Sequence, residues 1–152
     1  MRASISYSII IVLLCTLSGC TTSKSTVSQN TNLSKYEYVS IINNDTYHIP
    51  AKLMEYEIQL FDAVEGSGLQ LVSDWRIPEL SQQQQSKLLL CRYAVDIYDE
   101  ETIVTVNFID FMSGRPIASC RGASSSLGIS NAMDIKNAIK NVAKQIRETF
   151  SK

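Results

Sequence analysis

LLLCRYAVDIY over residues 88–98 and TIVTVNFIDF over residues 102–111 decide how this chain folds. In the first, Leu89, Cys91, Tyr93, Val95 and Ile97 alternate with Arg92 and Asp96. In the second, Val104, Val106 and Phe108 share a face. A period of two marks strands with one side against a core. Asp99-Glu100 makes a two-residue turn between them, which sets Cys91 opposite Phe108, Tyr93 opposite Val106 and Val95 opposite Val104. Each core-facing residue meets another, and a slip of one residue would break all three pairs.

Working outward, Ser113-Gly114 turns the chain into a third strand over 116–122, PIASCRG, with Gly114 suited to a positive φ. Upstream, YEYVSII (36–42) is aromatic and β-branched and reads as a strand, closed by Asn43-Asn44-Asp45. From Pro50 the period becomes helical. Met54, Ile58, Phe61 and Val64 fall on one face with Leu53 and Leu60 beside it, and Glu55, Gln59 and Asp62 fall away. Gly66 or Gly68 ends that helix. LQLVS (69–73) is a second short strand, so strand, helix and strand imply a parallel pair with a right-handed crossover. Residues 74–87 connect, with four Gln extending a helical turn begun near Ser81.

After a loop at 123–130, Asn131 is placed to cap the last helix, with Asp134 three residues on. Ile135, Ile139, Val142 and Ile146 form its apolar stripe, flanked by Ala138, Ala143 and Phe150. The order β-α-β-β-β-β-α predicts an α+β fold, a single mixed β-sheet with two helices packed on one face. In that sheet Cys91 and Cys120 point to one face from strands separated by a third. Their Cα atoms are then about 9–10 Å apart, beyond the ~7 Å limit of a disulfide, so both are expected reduced and buried.

The front of the chain is different. MRASISYSIIIVLLCTLSGC has one charge, Arg2, then an apolar run from Ile9 to Leu14 extended by Cys15 and Leu17. That is a secretory signal, too short for the ~20 residues of a spanning helix. Its last four residues, Leu17-Ser18-Gly19-Cys20, resemble the bacterial lipobox, in which small residues precede a Cys that is lipidated and becomes the first of the mature chain. The resemblance implies a diacylglyceryl group on Cys20 and stable membrane attachment, since one acyl chain alone holds only marginally. The residue after Cys20 is Thr21 rather than Asp, which by the sorting rule of such lipoproteins implies the periplasmic face of the outer membrane. The inner membrane and the cell surface are the alternatives.

Residues 21–34, TTSKSTVSQNTNLS, hold too few apolar groups to offset the entropy of ordering them. The domain reading is a signal peptide over 1–19, a lipidated Cys and flexible tether over 20–34, and a periplasmic α+β domain over 35–152. The whole chain has 14 Lys+Arg, 15 Asp+Glu and one His. This near-neutral balance leaves no electrostatic footprint for nucleic acid. A single His argues against His-based catalysis or a His-rich metal site.

The element order on a lipidated Cys resembles a group of small periplasmic lipoprotein domains. These include the N-terminal domain of the Tol–Pal β-propeller protein, the curli-secretion and lipopolysaccharide-assembly lipoproteins, and the activator lipoproteins of penicillin-binding proteins. IDFMSGRPIASCRG, with Asp110, Gly114 and Gly122, is similar to a stretch of strand, Asp, turn Gly, strand and Gly in several of them. The resemblance implies a fold, and transfers no functional residue.

For chemistry the chain offers little. His48 precedes Ile49-Pro50 with no nucleophile motif beside it and reads as a surface or capping residue. Asp96, Asp99, Glu100 and Glu101 crowd one turn without EF-hand spacing. Gly66-Ser67-Gly68 follows a helix, the wrong end for phosphate, and Ser124-Ser125-Ser126 lacks a P-loop Lys. Lys136, Lys140 and Lys144 form a basic stripe, either the wet side of an amphipathic helix or a contact for an anionic polymer or lipid head groups. The sheet face away from the helices carries Leu88, Leu90, Arg92, Ala94, Ile103, Ile109 and Phe111, too apolar to be wholly wet. Another layer or a partner covers it, and Arg92 and Phe111 join the three lysines as candidate contacts.

The expectation is a lipid-anchored, non-enzymatic envelope protein with no cofactor or metal. Its partners would be the membrane, through its lipid, and another envelope protein or polymer. The alternative is a small envelope hydrolase using carboxylates near Asp96–Glu101 or Asp110.

Overall fold

The computed structural model describes residues 23–42, 54–99, 101–125 and 131–151. The strands are β1 (Lys24–Val27), β2 (Tyr38–Ile41), β3 (Gln70–Leu71), β4 (Leu88–Ile97), β5 (Thr102–Asp110) and β6 (Pro116–Ser124). The helices are α1 (Met54–Glu65), α2 (Gln82–Gln85) and α3 (Asn131–Phe150), with 3₁₀ turns at Leu33–Lys35 and Asp74–Glu79. The strands make one mixed sheet in the order β1-β6-β5-β4-β2-β3. The α+β fold with a single mixed sheet is as the sequence predicts.

The β4–β5 hairpin has the expected register, with Cys91 opposite Phe108, Tyr93 opposite Val106 and Val95 opposite Val104. β2 runs parallel to both β3 and β4. A bulge at Phe108/Ile109 sets Cys120 opposite Val106. The Ser81 hydroxyl and the Gln84 side chain form a reciprocal capping box that starts α2.

The strands divide their side chains between the two faces of the sheet. Val39, Leu89, Cys91, Val104, Val106, Phe108 and Cys120 face the helices and are buried with Leu60, Val64 and the stripe Ile135, Ile139, Val142 and Ile146 of α3. Phe108 and Phe150 meet edge to face with centroids 4.6 Å apart. Gly122 sits where α3 crosses β6. A Cβ there would strike the Ala138 carbonyl oxygen and the Val142 backbone nitrogen. The missing side chain lets helix backbone lie directly on strand backbone.

Two expectations need correction. Residues 24–27, read as flexible tether, form the edge strand β1, antiparallel to β6 from Lys24–Arg121 to Val27–Ala118. All four of these residues are exposed. An edge strand is held by backbone pairing to a neighbour, so its low apolar content did not prevent order. The folded domain therefore begins well before residue 35. On α1, the buried residues are Leu60, Ala63 and Val64, while Met54 and Ile58 are exposed. α1 packs chiefly on α3 and touches the sheet mainly at β3, so its apolar arc is turned toward the neighbouring helix. Asn131 is the first described residue of α3, and Asp134 is buried where its Oδ1 accepts a bond from the Ser124 hydroxyl at 3.1 Å. Pro50, Leu53 and the Asn43–Asp45 turn lie outside the described residues.

Cys91 and Cys120 are both free and buried. Burial pushes the Cys91 thiol up to about 12 and raises Cys120 as well. Cys91 and Cys120 should thus be thiols in the native protein with no disulfide between them, alkylated by iodoacetamide only after denaturation. Rapid labelling of the folded protein would contradict the burial. Gly122→Ala should cost at least about 2 kcal/mol, because backbone on both sides blocks the methyl group. A fall in the urea midpoint at constant m-value would register it.

Candidate functional site

Asp110, the last residue of β5, is 6% exposed within a ring of donors. Its Oδ1 accepts from the Ser113 backbone N–H and from the Ser113 hydroxyl, both at 2.8 Å. Its Oδ2 accepts from Tyr36 Oη at 2.7 Å and Lys35 Nζ at 3.2 Å. Burial alone would push the carboxyl up, but the donors from Tyr36, Ser113 and Lys35 outweigh it and hold Asp110 down to about 2. Gly114, with φ +67°, completes the turn as its N–H donates to the Asp110 carbonyl at 2.8 Å. A carboxylate so engaged is not placed to shuttle protons at neutral pH. It ties the β5–β6 turn to the segment that leads into β2.

The acidic turn lies elsewhere. Thr102 and Asp110 are the two ends of β5, about 27 Å apart at ~3.4 Å per residue. The two carboxylate sets therefore cannot act as a pair, which needs roughly 5–10 Å. Asp96 and Asp99 are exposed, and Glu101 pairs with Arg121 at 3.7 Å. Glu100 and His48 lie outside the described residues. Among the described residues no group of three His, Cys, Asp or Glu is placed to hold a metal ion.

The candidate contact residues fall on two separate surfaces. Lys136, Lys140 and Lys144 are exposed on the outer side of α3, and Lys144 pairs with Glu148 at 3.8 Å. Among the described residues no ion pair joins these lysines to Glu55, Asp62 or Glu65 of α1. There, Glu57 instead accepts from Tyr93 Oη at 2.6 Å. Arg92 and Phe111 belong to the opposite side of the molecule, on the sheet face without helices. Arg92 is exposed and Phe111 half-buried.

That face is partly covered. Leu88 and Ser40 are fully buried, whereas Leu90, Ile103 and Ile109 are half-buried and Ala94 is exposed. The connector of residues 74–85 folds over the β2 end, leaving a cavity of about 390 Å³ bordered by Tyr38, Gln70, Arg76, Glu79 and Leu80. The Ser40 hydroxyl is buried and has no hydrogen-bond partner among the described residues.

Sequence reasoning missed one feature. Ile97 and Tyr98 at the hairpin tip, Met54 and Ile58 on α1, and Met133 on α3 are all exposed. Alternation assigned Ile97 to the core because the pattern runs on past the point where the opposing layer ends, and helical periodicity assigned Met54 and Ile58 to it because α1 is rotated toward α3.

No protein-family model matches the sequence, and no curated protein matches it. Solved structures share the fold. The chain is similar to the PelC dodecamer from Paraburkholderia phytofirmans in two crystal forms. One has 16% identity over 86% of this chain and 99% of that one, with a TM-score of 0.60. The other has 14% identity over 87% and 99%, with a TM-score of 0.58. A PDZ domain protein from Parabacteroides distasonis is 11% identical over 87% of this chain and 36% of its own, with a TM-score of 0.54. At these identities the likeness is one of fold.

The low Asp110 pKa has a pH signature. A depressed folded-state value contributes stability above the unfolded value near 4, and that stability is lost as pH falls toward 2. The native protein should lose roughly 2 kcal/mol over that window from this group. Asp110→Asn should be less stable at pH 7 and show a flatter urea-midpoint profile between pH 4 and 2. An unchanged profile would assign the acid sensitivity to other carboxylates.

Proposed function

We propose that the chain is a lipid-anchored envelope lipoprotein, acylated at Cys20, which binds a protein or polymer partner in the periplasm without catalysing a reaction. The observation that carries this reading is the Leu17–Cys20 box at the end of a short apolar signal, directly before the residues that enter the sheet. Cys20 itself lies outside the described residues. The committed state of Asp110 and its distance from the acidic turn favour binding over hydrolysis. The outer membrane is the proposed location, from Thr21 after the lipidated Cys.

The half-exposed apolar strip around Leu90, Ile103, Ile109 and Phe111, with Arg92 at its margin, is the proposed partner surface. Large apolar patches on a soluble face mark contact sites. The lysine stripe of α3 is a second, separate surface, and exposed lysines there contribute little to stability.

Cys20→Ala should abolish lipid labelling and move the protein from the membrane fraction to a soluble or uncleaved form. Normal labelling of that variant would refute the anchor. A photocrosslinker at Arg92 should capture a partner in cells where one at Lys140 does not, and the reverse result would move the contact to α3.

A further inference from the structure

We infer that one end of the sheet rests on the lipid surface itself, with the β4–β5 tip and the first turns of α1 and α3 seated among the head groups. This rests on the acylation of Cys20 proposed above. Cys20 is three residues before Ser23, and three residues reach at most about 11 Å when fully extended. Ser23 is already bound to the fold, for its Oγ accepts from the Ala123 backbone N–H at 3.4 Å. A headgroup layer is about 5–8 Å deep. The corner of the domain where β1 begins is therefore held at the bilayer.

Strand directions decide what shares that corner. β5 runs parallel to β1, while β4 and β6 run antiparallel to both. The start of β1 thus lies at the same end as the close of β6, the start of β5 and the close of β4. Thr102 pairs with Ser124 on one side and Ile97 on the other. The Ser124–Asp134 bond brings the start of α3 to this end. α1 joins two parallel strands, so it runs opposite to β2 and β4 and also starts here. The Tyr93–Glu57 bond sets Glu57 beside the middle of β4, and Met54 lies one turn nearer this end.

The exposed apolar residues follow the same division. Among the described residues eight large hydrophobic side chains are exposed, and four are at this end. They are Met54, Ile97, Tyr98 and Met133, each between 49% and 60% exposed. Water is a poor medium for such a group, and the lipid interface is a good one, above all for Tyr. Asp96, Asp99 and Glu101 at the same tip outnumber Lys24 and Arg121 beside them, and Arg121 is paired with Glu101, so anionic lipids gain little purchase. The contact is apolar, and salt should not release it.

The test uses the lipidated full chain in vesicles of phosphatidylcholine and phosphatidylethanolamine. Trp75 is the one native Trp, so Tyr98→Trp and Met54→Trp are each made with Trp75→Phe to give single reporters. Both should shift to the blue on vesicle binding and be quenched by lipids brominated near the headgroup, equally in low and high salt. Vesicle flotation with neither reporter quenched would overturn the inference while leaving the anchor intact. A blue shift without quenching would also overturn it, by assigning this end to a second copy or another protein. Failure of the wild-type protein to float would instead count against the acylation of Cys20.

Discussion

The contact that the rest of the domain depends on is the close approach of α3 to β6 at Gly122. One side-chain carbon at this position would meet backbone atoms of Ala138 and Val142 and lift the helix from the sheet. With the helix down, Ile135, Ile139, Val142 and Ile146 reach the row of Val104, Val106, Phe108 and Cys120. Packing of this density tolerates little displacement. α1 then leans on α3 rather than on the sheet. The position of the second helix is therefore inherited from the first.

Asp110 does for one end of the sheet what Gly122 does for its middle. Its four accepted bonds join the β5–β6 turn to Lys35 and Tyr36, which lead directly into β2. Two segments far apart in the chain thus close the same end of the sheet. The spacing of Asp110, Gly114 and Gly122 in IDFMSGRPIASCRG acquires a physical meaning from this. The Asp holds a turn, one Gly supplies its positive φ, and the other receives a helix.

Legibility followed the range of the forces involved. The hairpin register could be read because alternation on two strands and a short turn over-determine it. The stripe of α3 could be read because its partner is a continuous sheet face. α1 was misread in rotation, since its main neighbour is another helix and periodicity alone does not say which neighbour a helix faces. β1 was missed because KSTV has no apolar pattern and owes its order to a partner strand 91 to 97 residues further along the chain. The state of Asp110 was equally hidden, as two of its donors come from residues 35 and 36. The exposed end of the sheet was concealed by patterns that continue past the edge of the core.

β1 also dictates an order of assembly. Among the described residues it is the first strand and pairs with the last. Closing so long a loop is slow, and it yields contacts only once β6 exists. Until then β6 presents a bare edge of unpaired amides and carbonyls, the kind of surface on which strands of other molecules add. The docking of β1 is the late step that seals this edge, in a segment that shows no inclination of its own to be a strand.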